Sequence, residues 1–179
     1  GAAILSADDE YLDFFTDQVE ARVVTFGKNP SAEYGVSNIH ADAEGNVLYS
    51  IHHSTQKIQN SKLPFPGAHN AVNAAAALAV AGVLDVPLEA AAQALGSVEV
   101  PGARMRVLRN ETRGITIIDD CYNAGPDSMR AALQTLREFP GAQRRVAVLG
   151  AMKELGSFSE KEHRGAGAFA AQCAELLVG

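Results

Sequence analysis

The chain has 179 residues, of which 47% are hydrophobic and 20% charged, a balance typical of a soluble globular protein with one large core or two small ones. The net charge of −6, without a basic run, argues against a nucleic-acid partner or an anionic membrane surface. Two cysteines, Cys121 and Cys173, are too few for a disulfide framework and suit a reduced, cytoplasmic setting. We expect neither a membrane span nor a signal peptide, because no apolar stretch reaches roughly 18 residues.

The first elements along the chain alternate between strand and helix. Residues 2–5 form an apolar run, a helical stretch follows, and residues 22–26 predict a second strand. Because this β-α-β order begins without a lead-in, we expect the chain to start inside a domain. Residues 36–41 and 47–52 then predict a β-hairpin. A further short strand leads into the proline-rich stretch 63–67.

An alanine-rich segment follows, and it predicts a helix over residues 69–83. The segment has almost no charge, so we expect the helix to be buried nearly all round. Asp85, which precedes Val86-Pro87, is placed to cap another helix that ends at Gly96.

A second domain is predicted after a linker at residues 98–101. Beyond this linker the alternation of strands and helices restarts, with strands at 105–108 and 115–118. We therefore expect an α/β protein with two domains, residues 1–100 and 101–179.

The last third of the chain predicts a strand, a helix and a final strand. The first strand covers residues 146–149, and Ser157-Phe158-Ser159-Glu160 has the pattern of a capping box that starts the helix. Residues 176–179 predict the closing strand. We expect both ends of the chain to continue into a longer protein.

The stretch from Ile115 to Ser128 is the first candidate site. Ile115–Ile118 predicts a strand buried on both faces, as in a parallel sheet, and Asp119 and Asp120 stand at its carboxyl end. Ligands of open α/β sheets bind at that edge, where the next helix also offers free backbone N–H groups. Pro126 and Ser128 mark the start of this helix. The alternative is that the two acids only end a strand and cap a helix.

The second candidate site is the start of the alanine-rich helix. His69 and Asn73 lie one helical turn apart on the same face. Together with Asn70 they offer amides that can read the edge of a nucleotide base and a ring that can stack on its plane. The alternative is that these residues only cap and satisfy a buried helix.

Isolated residues give weaker signals. Arg104 is able to hold an anion by a forked contact, but an isolated arginine is more often a surface charge. Lys153 and Glu154 follow the strand at 146–149, where a solvated pair is the simpler reading. Cys121 has no histidine near it in sequence, which argues against a thiol nucleophile. No residues are assigned to a metal.

Two common nucleotide-binding motifs are missing from the sequence. Gly27-Lys28 is followed by Asn29 and lacks the upstream glycine of a G-x-x-x-x-G-K-[ST] loop, so this stretch cannot cradle a triphosphate in that manner. A Rossmann oxidoreductase would carry G-x-G-x-x-G after its first strand, and Asn123-Ala124-Gly125-Pro126 is a different pattern.

Taken together, five blocks resemble the Mur ligases. In chain order they are Gly67-Ala68-His69-Asn70-x-x-Asn73-Ala74-Ala75, Arg104-Met105, Asp120-Cys121-Tyr122-Asn123-Ala124-Gly125-Pro126-Asp127-Ser128-Met129, Val148-Leu149-Gly150-Ala151-Met152-Lys153-Glu154-Leu155-Gly156, and His163. Their order and spacing cover most of the chain. The Tyr-Asn-Ala-x-Pro-x-Ser and Met-x-Glu-Leu-Gly blocks point to the member of the family that adds D-alanyl-D-alanine.

The resemblance implies an ATP-dependent amide ligase of peptidoglycan synthesis. In such an enzyme a carboxylate of UDP-N-acetylmuramoyl-tripeptide is activated as an acyl phosphate and attacked by the amine of D-alanyl-D-alanine, with release of ADP and phosphate. The fold implied is the end of a central ATPase domain, a mixed sheet with a hairpin and helices, followed by part of a Rossmann-like C-terminal domain. The full-length enzyme is expected to be a cytoplasmic monomer.

The resemblance also implies roles for seven residues by their position. His69, Asn70 and Asn73 are expected at adenine, Arg104 at the ATP phosphates and Asp120 at the ribose. Asn123 and Ser128 are expected to face the incoming amine substrate. The phosphate loop and the Mg²⁺ ligands are expected outside the chain. No catalytic residue is assigned within it, and the isolated chain is not expected to catalyse ligation.

Three positions depart from the family pattern. The family usually has asparagine at Ser6 and at Gly125, and aspartate at Ala151. Losing an amide or a carboxylate in a substrate loop would alter amine specificity.

Two other hypotheses stay open: a related ligase that adds glutamate to folate or adds diaminopimelate, and a non-catalytic nucleotide-binding module.

Overall fold

A five-stranded mixed sheet is built from the first third of the chain. The computed structural model describes residues 1–54, 56–99 and 102–179. The five strands are β1 (Ala2–Ser6), β2 (Arg22–Gly27), β3 (Tyr34–Ala41), β4 (Val47–His53) and β5 (Gln56–Leu63), in the order β1-β2-β3-β4-β5. The predicted hairpin is confirmed by β3 and β4, which are neighbours in the sheet.

The sheet combines parallel and antiparallel pairing. β1 and β2 run parallel over their length, from Ala2 opposite Arg22 to Ser6 opposite Phe26. β3 also runs parallel to β2 but pairs only with its last two residues. β4 and β5 are antiparallel, with a register shift between Tyr49 and Ile51. The carboxyl ends of β1 and β2 therefore lie together at one edge of the sheet.

Three helices accompany this sheet: α1 (Leu12–Asp17), α2 (His69–Val83) and α3 (Leu88–Leu95). α2 has the predicted bounds and packs along β1, β2 and β4. Ala71 and Ala75 of α2 are completely buried, as are Val24 of β2 and Ile51 of β4. Small alanine side chains let the helix backbone approach the sheet closely.

Two predictions for this region are wrong. α2 is not buried all round, because the sheet covers only one of its sides and Asn73, Ala77, Val80 and Val83 are exposed. Asp85 does not cap α3. The N-cap position is Pro87, without a side-chain hydrogen bond, and Asp85 adopts a left-handed backbone with φ of 57°.

The second part of the chain contains two small sheets and two longer helices. Its elements are β6 (Arg106–Asn110), a 3₁₀ turn (Glu111–Arg113), β7 (Ile115–Asp119), α4 (Pro126–Glu138), β8 (Val146–Val148), a 3₁₀ turn (Gly156–Phe158), α5 (Ser159–Cys173) and β9 (Leu176–Val178). β6 and β7 pair antiparallel, and β8 and β9 pair parallel. α4 and α5 pack on each other around a buried cluster that consists of Met129, Leu133, Ala147, Met152, Ala170 and Cys173.

The structure corrects two predictions here. Ile115–Ile118 is not a parallel strand buried on both faces: β7 pairs antiparallel with β6, and Ile115 and Ile117 are 47% and 53% exposed. The apolar run alone did not reveal this pairing. The capping box at Ser157 is also wrong, because a 3₁₀ turn occupies residues 156–158 and α5 begins at Ser159 without a side-chain cap.

The chain divides into two compact units. The first comprises residues 1–40, 46–64 and 68–98, and the second comprises residues 41–45, 65–67 and 99–179. Residues 100 and 101 of the predicted linker lie outside the described residues, so the boundary between 100 and 101 stays a prediction. Among the helices that the structure describes, none is long and apolar enough to cross a membrane.

Candidate functional site

The carboxyl ends of β1 and β2 are joined by the carboxylate of Asp8. It accepts hydrogen bonds from the backbone N–H of Lys28 at 2.8 and 3.0 Å and of Asn29 at 2.7 Å. The side-chain amide of Asn29 donates in return to the carbonyl of Ala7 at 3.2 Å. The hydroxyl of Ser6 accepts the N–H of Asp8 at 3.2 Å. The two strand ends therefore form one hydrogen-bonded edge.

Gly27 is required by the backbone of this edge. Its φ of +147° lies in a region that side chains other than glycine rarely adopt. A Cβ at this position would stand 2.7 Å from a carboxylate oxygen of Asp8. In the sequence this glycine stood out only because the stretch around it lacks the phosphate-loop pattern. In the structure it lets Asp8 reach the backbone amides of Lys28 and Asn29.

The start of α2 faces the same edge of the first unit. Gly82 and Val83, at the end of α2, line one small cavity together with Arg22 and Val24 from the first half of β2. Since α2 packs along β1 and β2 and is about 22 Å long, comparable with the strands, its first residue, His69, lies toward the ends of these strands. This is the edge at which α/β sheets bind ligands.

His69, Asn70 and Asn73 occupy the first turns of α2. The side-chain amide of Asn73 donates to the side-chain oxygen of Asn70 at 3.2 Å, which orients the two amides relative to each other. Ala68 is the N-cap residue and provides no side-chain hydrogen bond. The first turn also contains no acidic residue, so the positive end of the helix dipole is not neutralised within the helix.

In the second unit, the structure brings Arg104 and Asp120 to the same place. The guanidinium of Arg104 lies over the ring of Tyr122, 4.2 Å from its centroid. The backbone N–H of Met105 donates to Asp120 Oδ1 at 3.0 Å, and the N–H of Tyr122 donates to the carbonyl of Ala103 at 3.1 Å. These contacts join the segment before β6 to the loop after β7.

Met105 shows why this junction is specific. It adopts a left-handed backbone with φ of 52° and is only 5% exposed. A non-glycine residue in this conformation costs about 1–3 kcal/mol and persists only where its surroundings hold it there. The carboxylate of Asp120 does so through the N–H of Met105. Asp120 therefore has a structural contact in addition to its predicted one.

Asp119 supports the same loop. Its carboxylate accepts the N–H of Cys121 at 3.3 Å. A hydrogen bond from the Cys121 thiol to Asp119, together with the negative charge of that carboxylate, raises the pKa of the exposed thiol. A raised pKa means less thiolate at neutral pH, which agrees with the argument against a thiol nucleophile.

Asn123 and Ser128 lie on the loop and first turn that follow. Ser128 Oγ accepts the N–H of Gly125 at 2.9 Å and donates to the Gly125 carbonyl at 3.1 Å, so the hydroxyl helps to fix the start of α4. Gly125 is the N-cap residue with φ of −122°, a value open to any residue. Asn123 is exposed.

A second loop, residues 149–156, follows β8 in the same unit. Its Met152 is buried in the cluster that also contains Met129, from the first turn of α4. Ala124 and Leu155, one from each loop, pack against that cluster. The loop after β7 and the loop after β8 are therefore anchored on the same core, and the exposed residues of both lie close to it.

His163 of α5 contacts the second loop directly. Its Nε2 accepts the backbone N–H of Met152 at 3.0 Å, and its Nδ1 lies 2.7 Å from the carbonyl of Ser159. A carbonyl oxygen only accepts hydrogen bonds, so Nδ1 carries the proton and Nε2 is the acceptor. The sequence placed His163 in the family pattern but did not reveal this role.

Within the described residues, no group of three or more histidine, cysteine or acidic side chains is arranged to hold a metal. The structure thus groups His69, Asn70 and Asn73 in the first unit. In the second unit Arg104 and Asp120 lie together, with Asn123 and Ser128 on the continuing loop. Tyr122 and Asp8 were missed because their partners are distant in sequence.

Two protein-family models match the chain, one over its first half and one over its second. Residues 1–81 match the Mur ligase middle domain, and residues 103–178 match the Mur ligase glutamate ligase domain. With the mixed sheet, the second α/β unit and the strand-end loops, these matches define the class. The chain belongs to the Mur ligase family.

Two curated relatives represent two activities of that family. A UDP-N-acetylmuramoyl-tripeptide–D-alanyl-D-alanine ligase of Bacillus subtilis is 34% identical over 80% of this chain and 30% of its own length. A UDP-N-acetylmuramate–L-alanine ligase of Clavibacter michiganensis is 37% identical over 81% of this chain and 29% of its own length. The chain spans about a third of the length of these relatives.

Two solved structures have a fold similar to that of the chain. MurF from Acinetobacter baumannii superposes with a TM-score of 0.84, at 26% identity over 99% of this chain and 42% of that chain. MurF from Thermotoga maritima, solved in complex with ADP, has a TM-score of 0.82 at 24% identity and covers 99% of this chain and 44% of its own. The latter likeness supports the fold alone.

Proposed function

We propose that the chain is part of an ATP-dependent ligase of peptidoglycan precursor synthesis that joins D-alanyl-D-alanine to UDP-N-acetylmuramoyl-tripeptide through an acyl phosphate. The observation that carries the proposal is the anchoring of two strand-end loops on one core in the second unit, with the family's Tyr-Asn-Ala-x-Pro-x-Ser block on one loop and its Met-x-Glu-Leu-Gly block on the other. Similarity to D-alanyl-D-alanine ligases over 80% of the chain supports it.

In this proposal the first unit contributes the contacts to the base of the nucleotide. His69, Asn70 and Asn73 contact adenine from the start of α2. The hydrogen bond between the two amides orients them, so that they present a fixed pattern of donors and acceptors to the edge of the base. The clamped edge at Asp8 keeps the neighbouring strand ends in place.

The second unit contributes charge to the phosphates and contacts to the sugar. Arg104 faces the ATP phosphates, and the ring of Tyr122 beneath its guanidinium restricts the directions it can take. Asp120 faces the ribose while its Oδ1 holds Met105. Asn123 and Ser128 lie on the amine-substrate side. Positioning and charge neutralisation are what phosphoryl transfer chiefly requires.

The remaining parts of the proposal follow from the family. Mg²⁺ would neutralise phosphate charge, and its ligands are proposed outside this stretch. Residues 1–100 and 101–179 are proposed as the end of the central domain and the start of the C-terminal domain. Both cysteines are free, which suits a reducing, cytoplasmic compartment, and the full-length enzyme is proposed to be a monomer. An acyl phosphate hydrolyses readily, so a closing C-terminal domain would protect it from water.

The proposal is tested in the full-length protein that contains this chain. ADP release is measured with UDP-N-acetylmuramoyl-tripeptide and D-alanyl-D-alanine, and again with L-alanine, glutamate or diaminopimelate as the amine. We expect turnover with D-alanyl-D-alanine and with none of the other amines. Turnover with L-alanine on UDP-N-acetylmuramate would instead support the second curated activity, and nucleotide binding without any turnover would support the non-catalytic module.

Two variants separate the proposed subsites. Asn73→Ala should raise the KM for ATP about five- to tenfold, since one hydrogen-bonding amide is lost, and leave the KM for the dipeptide unchanged. Asn123→Ala should raise the KM for the dipeptide and leave the KM for ATP unchanged. Gln172→Ala, at an exposed position of α5, is the control. Equal changes of both KM values in the two variants would contradict the assignment.

A further inference from the structure

The loop of residues 149–156 is held at three different places. At its start, the N–H of Leu149 donates to the carbonyl of Val178 in β9 at 2.9 Å. At its end, the N–H of Phe158 donates to the carbonyl of Leu155 at 3.0 Å. In between, the N–H of Met152 donates to His163 Nε2 at 3.0 Å. The middle of the loop therefore depends on a side chain from α5.

His163 is oriented for this contact by its own helix. Its Nδ1–H donates to the carbonyl of Ser159, one turn earlier, at 2.7 Å. His163 also begins the inward-facing side of α5, followed by Ala166, Ala170 and Cys173, which contact or belong to the buried cluster. The ring is thus half-buried, fixed in its plane, and left with one acceptor nitrogen that faces the loop.

The contact matters for what the loop presents. Met152 is buried at 4% exposure, whereas Ala151, Lys153 and Glu154 on either side of it are exposed. Glu154 has a left-handed backbone with φ of 63°, a conformation that needs support from its surroundings. Fixing the N–H of Met152 sets the direction in which the two charged side chains after it leave the core.

We infer that His163 is a positioning residue for amine-substrate recognition, which holds the 149–156 loop through the acceptor nitrogen of its imidazole. The inference rests on the proposed function, because the loop lies beside the Asn123 and Ser128 loop on the same core. His163 does not itself contact the reacting atoms. It acts through the backbone of Met152 and through the charged residues that this backbone presents.

Two substitutions with the same chemistry and different reach test the inference. In His163→Gln the side-chain carbonyl reaches about the position of Nε2 and still accepts the N–H of Met152. In His163→Asn the side chain is one methylene shorter and does not reach it. Arg164→Gln is the matched control, because Arg164 is exposed and pairs with Glu160 on the surface of α5.

In the full-length protein, we expect His163→Asn to raise the KM for D-alanyl-D-alanine about fivefold, the effect of losing one hydrogen bond. The KM for ATP should stay unchanged, and His163→Gln and Arg164→Gln should resemble the unsubstituted protein. Equal KM values for the Asn and Gln variants would overturn the inference. So would a parallel rise in the KM for ATP, since a general loss of structure affects both substrates.

Amide hydrogen exchange distinguishes failure of this inference from failure of the proposed function. The N–H of Met152 is followed by NMR in the 179-residue chain. It should exchange faster in His163→Asn than in His163→Gln, whether or not the full-length protein turns over. Absence of ligation with unchanged protection differences would reject the proposed function alone. Equal exchange in the two variants would reject the role of His163.

Discussion

The central strands of the first unit's sheet bury apolar side chains completely, whereas the two small sheets of the second unit leave most of their apolar side chains exposed. Val24 and Ile51 in the five-stranded sheet are completely inaccessible to solvent, but Ile117 of β7 is 53% exposed and Val148 of β8 is 75% exposed. The loops that carry the candidate site in the second unit are nevertheless well anchored, because they pack on the cluster between α4 and α5.

This difference separates two tasks that a sheet often performs together. In the first unit the same strands make the core and carry the strand-end edge with Asp8. In the second unit most of the core cluster comes from α4 and α5, and β8 contributes Ala147 to it. Substitutions in strands should therefore have large effects on stability in the first unit and small effects in the second.

The largest effect is expected from Ile51→Ala in β4. Ile51 is 0% exposed, so truncation leaves a cavity and should lower the free energy of unfolding by about 2–5 kcal/mol. The matched substitution Ile117→Ala in β7 should cost less than about 1 kcal/mol, because the side chain is already half in water. Urea unfolding of both variants measures the difference, and equal losses would refute the contrast between the sheets.

A second comparison concerns the loops that follow two strands. Gly27→Ala should destabilise the chain by about 1–3 kcal/mol, since a Cβ meets the Asp8 carboxylate and φ is +147°. Gly150→Ala, in the loop after β8, should change stability by no more than about 0.5 kcal/mol, because no atom lies within 4 Å of the new methyl group. If thermal unfolding shows both variants to be equally stable, the edge at Asp8 is not as tightly built as the contacts indicate.

The smallest effect is expected at Asp119, where the carboxylate acts on a thiol as well as on a backbone amide. Its hydrogen bond and charge raise the pKa of Cys121. In Asp119→Asn the pKa should fall, more thiolate should be present at pH 8, and alkylation by iodoacetamide should become severalfold faster.

The control for this prediction is Asp127→Asn, which removes an acid from the first turn of α4 without a described contact to the thiol. Its alkylation rate should match that of the unsubstituted chain. An unchanged rate in Asp119→Asn would mean that the exposed thiol is governed by solvent rather than by its neighbour.

Local signals were sufficient for much of the fold. The alanine-rich run predicted the bounds of α2, and Pro126 and Ser128 predicted the start of α4, since both patterns act within one or two helical turns. The hairpin followed from two extended runs close in sequence. The burial of α2 and β7 was predicted wrongly, because an apolar composition does not say which neighbours cover a face.

The candidate site divides in the same way. Motif order and spacing identified the family and located His69, Asn70 and Asn73 at a helix start and Asp120 after a strand, because these are properties of consecutive residues. The contacts that give the site its shape depend on strand register and on the path of the chain.

Asp8 holds amides 20 and 21 residues away, Asp120 holds Met105 across a β-pair, and Met152 donates to a histidine on the next helix. No local pattern specifies such partners. A hydrogen bond is directional and requires an approach to about 3 Å, and distant segments reach that distance only when the folded chain brings them together.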